Sequence, residues 1–298
     1  MNRIHYAACP VCSSRNINPL LTVKDHSVSG EEFVVWQCSD CTLRFTQDVP
    51  GEDSIGPYYQ SQDYISHSNI SKGLLNKLYQ RVRKHTLKQK ADFIIQQTKR
   101  EGSLLDVGAG TGAFAHTMKM RGWQVKGIEP DAGARKIAQE LFGMQLSPSM
   151  DEAQLRSNSY DAISLWHVLE HVHQLNDYVE TLKSLLTADG KIFIAVPNYM
   201  AADADIYKTY WAAYDVPRHL YHFSPRSIEV LVQKHGLKLI SKHPMWFDSF
   251  YISLLSSKYK RGGKASWIGA GMSGLRSNFT AMADKDRCSS VLYVIGKY

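Results

Sequence analysis

Between Leu104 and Ile240 the chain alternates short strand-like runs with longer stretches in which apolar residues recur every three or four positions. The first pattern marks buried strands, and the second marks the helices that cover them. Strands are expected at Leu104–Val107, Gln124–Ile128, Asp161–Trp166 and Lys191–Asn198, with a short third strand at Met144–Leu146. Helices are expected at Ala113–Met120 before Gly122, at Ala132–Phe142 closed by Gly143, and from Leu175 to Asp189-Gly190. Ser224-Pro225 supplies an N-cap and a first-turn proline for a helix running to Gly236. Leu237–Ile240 and Val291–Ile295 complete the set as sixth and seventh strands. The pattern predicts an α/β fold, a Rossmann-like seven-stranded, mostly parallel sheet with helices on both faces.

Outside this region the pattern changes. Leu74 to Lys99 carries Leu75, Leu78, Val82, Ala91, Ile94 and Ile95 at helical spacing, as a leading helix before the first strand. Its Lys77, Arg81, Arg83, Lys84, Lys88 and Lys90 make one basic patch, and Lys258, Lys260, Arg261 and Lys264 make another. Residues 199–223 are irregular, aromatic and His-bearing, and read as a substrate lid. Residues 245–290 form an insertion, apolar at Phe247–Leu255 and rich in Gly, Ser and Lys thereafter. The expected organisation is a zinc-ribbon module at 1–50, a linker at 51–73 with Tyr58, Tyr59 and Tyr64, and a main domain at 74–298.

The ribbon expectation rests on cysteine spacing. Cys9-Pro10-Val11-Cys12 and Cys38-Ser39-Asp40-Cys41 are two C-x-x-C knuckles. Each offers two sulfurs from one turn, so together they can surround a tetrahedral zinc ion. Redox thiols are the rival reading and fit poorly with a chain that opens on no secretory signal. Phe33–Gln37 reads as a ribbon strand, and Cys288 as a small apolar residue. The 298 residues carry a net charge of +7, which suits an anionic partner but is more simply a solvated basic surface. No apolar run is long enough to span a bilayer, so a cytoplasmic location is the default expectation.

The chemistry concentrates where the first strand breaks into Asp106-Val107-Gly108-Ala109-Gly110-Thr111-Gly112. Glycine at alternate positions lets backbone approach a ligand at a helix N-terminus. The spacing is G-x-G-x-G, one residue short of the dinucleotide fingerprint. After the second strand, Glu129-Pro130-Asp131 places a carboxylate where it can hold ribose hydroxyls. His167-x-x-Glu170-His171 matches a zinc-hydrolase signature in letters. The apolar strand before it puts His167 at a strand end rather than inside a helix, which argues against that reading.

The loop and Glu129, with the apolar strand followed by Val168-Leu169-Glu170-His171, resemble class I S-adenosylmethionine-dependent methyltransferases. With the cysteine knuckles and Asp215-Val216-Pro217-Arg218-His219, the whole chain resembles zinc-ribbon enzymes of the methyltransferase-23 type. The resemblance implies that Asp106, Gly108, Ala109, Gly110 and Gly112 cradle S-adenosylmethionine and that Glu129 and Pro130 flank its ribose. It puts Met150 and Asp151 over the adenine, and Trp166 and His167 at the strand edge. Trp166 or Tyr214 is a candidate to face the sulfonium, and His219, His222 and His171 are the candidate bases. Cys9, Cys12, Cys38 and Cys41 would hold structural zinc, and Glu170 is a candidate ligand for a divalent ion. The implied acceptor is a small-molecule, glycan or lipid-type intermediate, methylated on oxygen or carbon. RNA methylation is the second reading, because some ribosomal RNA enzymes pair zinc with basic charge; a non-catalytic cofactor-binding scaffold is the third. The 245–290 insertion is a candidate cap over the site, a candidate dimer contact or, through Trp267 and nearby lysines of 247–267, a candidate peripheral membrane contact.

Overall fold

The computed structural model describes residues 2–60, 74–99 and 101–298, and for 74–81 and 83 the backbone alone. Tyr64 and residues 61–73 of the expected linker lie outside the described residues, as do the side chains of Leu75, Leu78, Lys77, Arg81 and Arg83. The N-terminal module opens with β1 (Arg3–Ile4), β2 (Ile17–Lys24), β3 (Glu32–Cys38), β4 (Arg44–Thr46) and β5 (Val49–Pro50). β1 pairs with β5, and β2, β3 and β4 form antiparallel neighbours. β3 alternates as its sequence predicts, burying Phe33 and Val35 and exposing Val34.

The leading helix α1 (Leu74–Thr98) precedes β6 (Ser103–Val107), α2 (Ala113–Lys119), β7 (Gln124–Ile128), α3 (Ala132–Phe142), β8 (Tyr160–Trp166), α4 (Leu175–Leu185) and β9 (Leu186–Pro197). The expected caps hold. Gly143 turns left-handed to close α3, and Asp131 caps its start by accepting from Ala134 N at 2.6 Å. Then come α5 (Ala202–Tyr207), β10 (Tyr221–His222), α6 (Pro225–Lys234), β11 (Leu237–Pro244), α7 (Asp248–Lys260), α8 (Trp267–Ala283) and β12 (Ser290–Lys297). At α6 the Ser224 side chain and Ser227 cap one another's backbone N–H groups.

The central sheet has six strands in the order β11-β12-β9-β8-β6-β7. β9, β8, β6 and β7 run parallel, while β12 is antiparallel to both its neighbours. The third strand expected at Met144–Leu146 is not formed, which leaves six of the seven. Met144 is buried beside Ala115 and Ala138 under the end of α3, so only Ser147 reaches the edge of β7, in a single parallel bridge to Ile128. β9 also begins earlier than expected, at Leu186. Its register jumps from Tyr160↔Leu186 to Ala162↔Lys191, and Asp189-Gly190 lie within that irregularity.

Residues 199–223 form a wedge between the ribbon and the sheet. Trp211 and Tyr214 are 2% and 3% exposed, and they pack with Val23, Phe33 and Val35 of the ribbon and Ile252 of α7. β10 continues the ribbon sheet by pairing with β4, Tyr221 opposite Phe45 and His222 opposite Arg44. Arg218 locks this junction. It is 2% exposed, donates to both Asp25 and Asp215 at 2.9 and 2.7 Å, and donates to Tyr58 O and Ser27 Oγ. A buried guanidinium with two carboxylates and a carbonyl is a tether between three segments.

Candidate functional site

β8 lies on one side of β6 and β7 on the other, so the chain changes direction across the sheet at the C-terminal ends of β6 and β8. That is where ligands enter sheets of this kind. The loop after β6 delivers Gly108, Gly110 and Gly112, all with positive φ. Gly108 has no room for a side chain, since a Cβ there would lie 2.4 Å from Val168 Cγ2. Gly110 faces open space, with nothing within 4 Å of the same position. The first glycine is therefore demanded by packing, and the second by a left-handed turn that leaves an open approach.

Glu129, at the end of β7, reaches back to that loop. Its Oε2 accepts from Gly110 N at 2.7 Å and its Oε1 from Asp131 N at 2.9 Å. Asp106, the last polar residue of β6, is 1% exposed. Its Oδ1 accepts from Ser164 Oγ at 2.7 Å, and Oδ2 is buried without a hydrogen-bond partner. Burial pushes this carboxyl up to about 7, against the lowering influence of Ser164 and Lys90. An orphaned carboxylate oxygen beside a glycine turn suits a ligand that brings its own donors, as the methionyl ammonium of S-adenosylmethionine does.

At the end of β8, Trp166 packs edge-on against Phe114 at 5.4 Å, and Lys90 Nζ stands 4.1 Å from its ring centre. Lys90, noted in sequence only as part of a basic patch, comes from α1 into this site and senses both Asp106 and Asp248. His167 takes a left-handed turn, φ 59°, and joins two carboxylates. Its Nε2 is 3.0 Å from Asp248 Oδ2 and its Nδ1 is 3.5 Å from Glu170 Oε1. Burial alone would lower this histidine, but Asp248 and Glu170 outweigh it and raise it to about 9. His167 is thus a cation at neutral pH, which suits holding carboxylates rather than accepting a proton.

Glu170 is fully buried, and neither of its oxygens has a hydrogen-bond partner. Glu170, His171 and His219 each present a ligand atom within 4.8 Å of the others, so this trio can hold a metal ion. The His171 and His219 rings meet edge to face at 4.6 Å. Each has Nδ1 near a backbone carbonyl, Arg218 O at 3.0 Å and Ala213 O at 2.9 Å. Those carbonyls require Nδ1–H donors, which leaves both Nε2 lone pairs available. Tyr59 OH, 3.1 Å from His171 Nδ1, brings the linker aromatic to the same cluster. Burial, above all, lowers His171 to about 4, so its imidazole is neutral.

Two of the expected residues, His222 and Tyr214, fall elsewhere. His222 sits in the ribbon sheet, edge-on to Tyr214 and 3.2 Å from Thr46 Oγ1, and burial holds its pKa well below the usual range. Tyr214 accepts from Arg44 Nη1 at 2.8 Å within the wedge. Pro130 and Asp151 are exposed, while Met150 is half-buried against the main core. Asp248 was not anticipated: it opens α7, 81 residues from the histidine it meets, and nothing local in the sequence announces that pairing.

The four ribbon cysteines converge so that their sulfurs lie within 4.8 Å of one another. Cys9 and Cys41 sulfurs are 3.4 Å apart and those of Cys12 and Cys38 3.5 Å, far beyond a disulfide bond of about 2 Å and near the ~3.8 Å edge of a tetrahedron with ~2.3 Å arms. The two knuckles repeat one geometry. In each, the first cysteine's carbonyl accepts from the N–H four residues on, Ser13 or Thr42, and that residue has a φ of 62° or 63°. The first cysteine's own N–H donates to the carbonyl five residues on, Ser14 or Leu43. Crowding splits the thiols: the Cys41 hydrogen bond pulls Cys9 down to about 5, and burial pushes Cys12 up to about 11. A bound divalent cation would hold all four as thiolates.

Comparison with known proteins places this geometry. The family model described as a methyltransferase domain matches residues 79–242. A ubiquinone biosynthesis O-methyltransferase of Chromobacterium violaceum is 30% identical over 116 residues, covering 36% of this chain and 50% of that protein. The mitochondrial ubiquinone biosynthesis O-methyltransferase of Rattus norvegicus is 27% identical over 165 residues, 49% of this chain and 47% of its own. The chain thus spans about half the length of the curated relatives it matches. Among solved structures, the 1,6-didemethyltoxoflavin-N1-methyltransferase of Burkholderia thailandensis aligns with a TM-score of 0.51 at 11% identity, covering 92% of this chain and 99% of that one. Phosphoethanolamine N-methyltransferase 2 of Haemonchus contortus aligns at 0.53 and 18% identity, over 85% and 62% of the two chains. These structures share the fold, and with the family match they settle the membership: the chain belongs to the methyltransferase domain family.

Proposed function

We propose that this chain transfers a methyl group from S-adenosylmethionine to a small-molecule biosynthetic acceptor, of glycan or lipid type, at oxygen or carbon. The observation that carries the reading is the convergence of Asp106, the glycine turn and Glu129 at the switch point of the sheet, with the Trp166–His167 edge beside them. The cofactor supplies an electrophilic methyl on a sulfonium. Asp106 Oδ2 would accept from the methionyl ammonium, and Glu129 would exchange its bond to Gly110 N for the ribose hydroxyls. Trp166 offers an aromatic face close to this edge. His171 and His219 stand across the Glu170 carboxylate; His219 is the one to take a proton from an acceptor hydroxyl, because His171, held down at about 4, accepts one poorly at neutral pH. His222 is too deep in the ribbon for that role.

The ribbon acts as a structural module, with zinc at Cys9, Cys12, Cys38 and Cys41. RNA recognition draws less support from the same geometry: of the basic residues near the knuckles, Arg44 bonds Gln37 and Tyr214 and lies over the Tyr199 ring, and Lys234 donates to Val11 O of the first knuckle. The test is turnover. Purified protein offered labelled S-adenosylmethionine and a panel of hydroxylated phenols, sugars and polyprenyl phenols releases S-adenosylhomocysteine with at least one acceptor. Tight cofactor binding with no product across the panel supports the scaffold reading instead.

A further inference from the structure

Helix α8 is built inside out. The residues it buries are small, Ala270, Gly274, Ser277 and Ala281, at spacings of four, three and four. This small face lets α7 approach closely: a Cβ on Gly274 would lie 2.7 Å from the Phe250 ring. Large residues face outward at the same period. Ile268, Met272, Leu275, Phe279 and Met282 are 81, 67, 50, 67 and 70% exposed, and Trp267 beside them is 68% exposed. A helix that buries its small residues and exposes its large apolar ones presents a face made to be covered.

The charge around this face decides what covers it. From Ser249 to Ala283 the chain carries Lys258, Lys260, Arg261, Lys264 and Arg276 and no acidic residue. A second copy packed antiparallel across the stripe would centre on Leu275 and bring Arg276 against its own mate, while parallel packing would stack the two basic turns. The nearest acids, Asp284 and Asp286 just past the end of α8, are already engaged, Asp284 by Asp286 N and Asp286 by Lys242, so neither arrangement finds a free acid to offset the repulsion. Anionic lipid headgroups do offset it, and the acyl boundary takes the apolar side chains. No helix among the described residues is long and apolar enough to cross a membrane, so contact would lie in the plane of the surface.

We propose that α8 and the α7–α8 turn form a docking surface for an anionic phospholipid bilayer. The surface is coupled to the candidate site, because α7 begins at Asp248, the carboxylate 3.0 Å from His167. Exposed Trp246 and Phe247 lie between that residue and the end of β11. Docking would therefore bring the site's rim to the lipid, and the acceptor class becomes a molecule whose apolar tail stays in the bilayer. This last step rests on the methyl-transfer reading above; the docking itself rests on the helix face alone.

The experiment is vesicle flotation of the intact protein. It is expected to float with phosphatidylcholine vesicles containing phosphatidylglycerol roughly tenfold or more better than with phosphatidylcholine alone, and added salt is expected to weaken the binding. Phe279→Ser and Met272→Ser, each exposed and outside the candidate site, are expected to lose binding roughly tenfold or more while keeping the parent Tm. Absence of vesicle binding by the parent protein overturns the proposal. So does a concentration-dependent dimer that Phe279→Ser dissolves, which would assign the face to a second copy. A calorimetric titration with S-adenosylmethionine on the same samples separates the two claims: normal cofactor binding without flotation removes docking, and flotation without cofactor binding removes the methyl-transfer reading.

Discussion

His167 shows how a single side chain ties the candidate site to stability. Its pKa is raised to about 9 in the folded chain by Asp248 and Glu170 working against burial, from about 6.5 when unfolded. The stabilisation is therefore fully present below about pH 6.5 and is lost as pH climbs through about 9. Thermal unfolding between those limits is expected to show a fall in Tm that His167→Gln abolishes; an unchanged pH slope in the variant would contradict the ion-pair reading. The glycine turn makes a second prediction at this scale. Gly108→Ala drives a methyl into Val168 Cγ2, whereas Gly110→Ala meets nothing within 4 Å. The cost of the first is expected to exceed that of the second, which pays only the left-handed strain of about 1–2 kcal/mol. Equal destabilisation in denaturant titrations would show that packing at Gly108 is not the constraint. Glu129 was readable from its place after the second strand as a carboxylate belonging to the glycine turn, which it meets through Gly110 N. Lys90 and Asp248 were not, because each enters the site from a distant element and carries no local signal.

At the scale of elements, the parts with a clean period or a cap were legible in advance. α3 with Asp131 and Gly143, α6 with Ser224-Pro225, and the apolar parallel strands β6 and β8 all stand where the sequence places them. The errors have physical causes. Met144 is apolar enough for a strand but is consumed beneath α3, which reduces the third strand to one bridge. β2 escaped notice because most of its eight residues are exposed or half-buried, so no alternation marks it. Residues 199–223, expected as a lid, carry most of their aromatics in a core and lend β10 to the ribbon sheet, while His219 among them reaches the Glu170 cluster. The ribbon was legible through its four cysteines and the repeated knuckle geometry. Native mass spectrometry is expected to find a zinc ion on each chain, and Cys38→Ser is expected to lose it together with several degrees of Tm. A metal-free wild-type protein with an unchanged transition after chelator treatment would remove zinc from the account.

At the scale of the whole molecule, three segments distant in sequence act as one support for the site. Arg218 draws Asp25 of the ribbon, Tyr58 of the linker and Asp215 of the wedge into a buried network. The next residue, His219, faces His171 and Glu170. The ribbon therefore positions the histidine cluster through this tether as well as capping the sheet. At the ends of β6 and β7 the arrangement is simpler, a glycine turn answered by Glu129. The central claim is that this turn holds S-adenosylmethionine. Its most direct test is a calorimetric titration of the intact protein with S-adenosylmethionine, repeated on Glu129→Ala. The expected result is saturable binding by the parent chain, weakened about tenfold or more, some 1.4 kcal/mol, in the variant. No heat of binding from the intact, folded protein, or identical affinities in the two, would contradict the account.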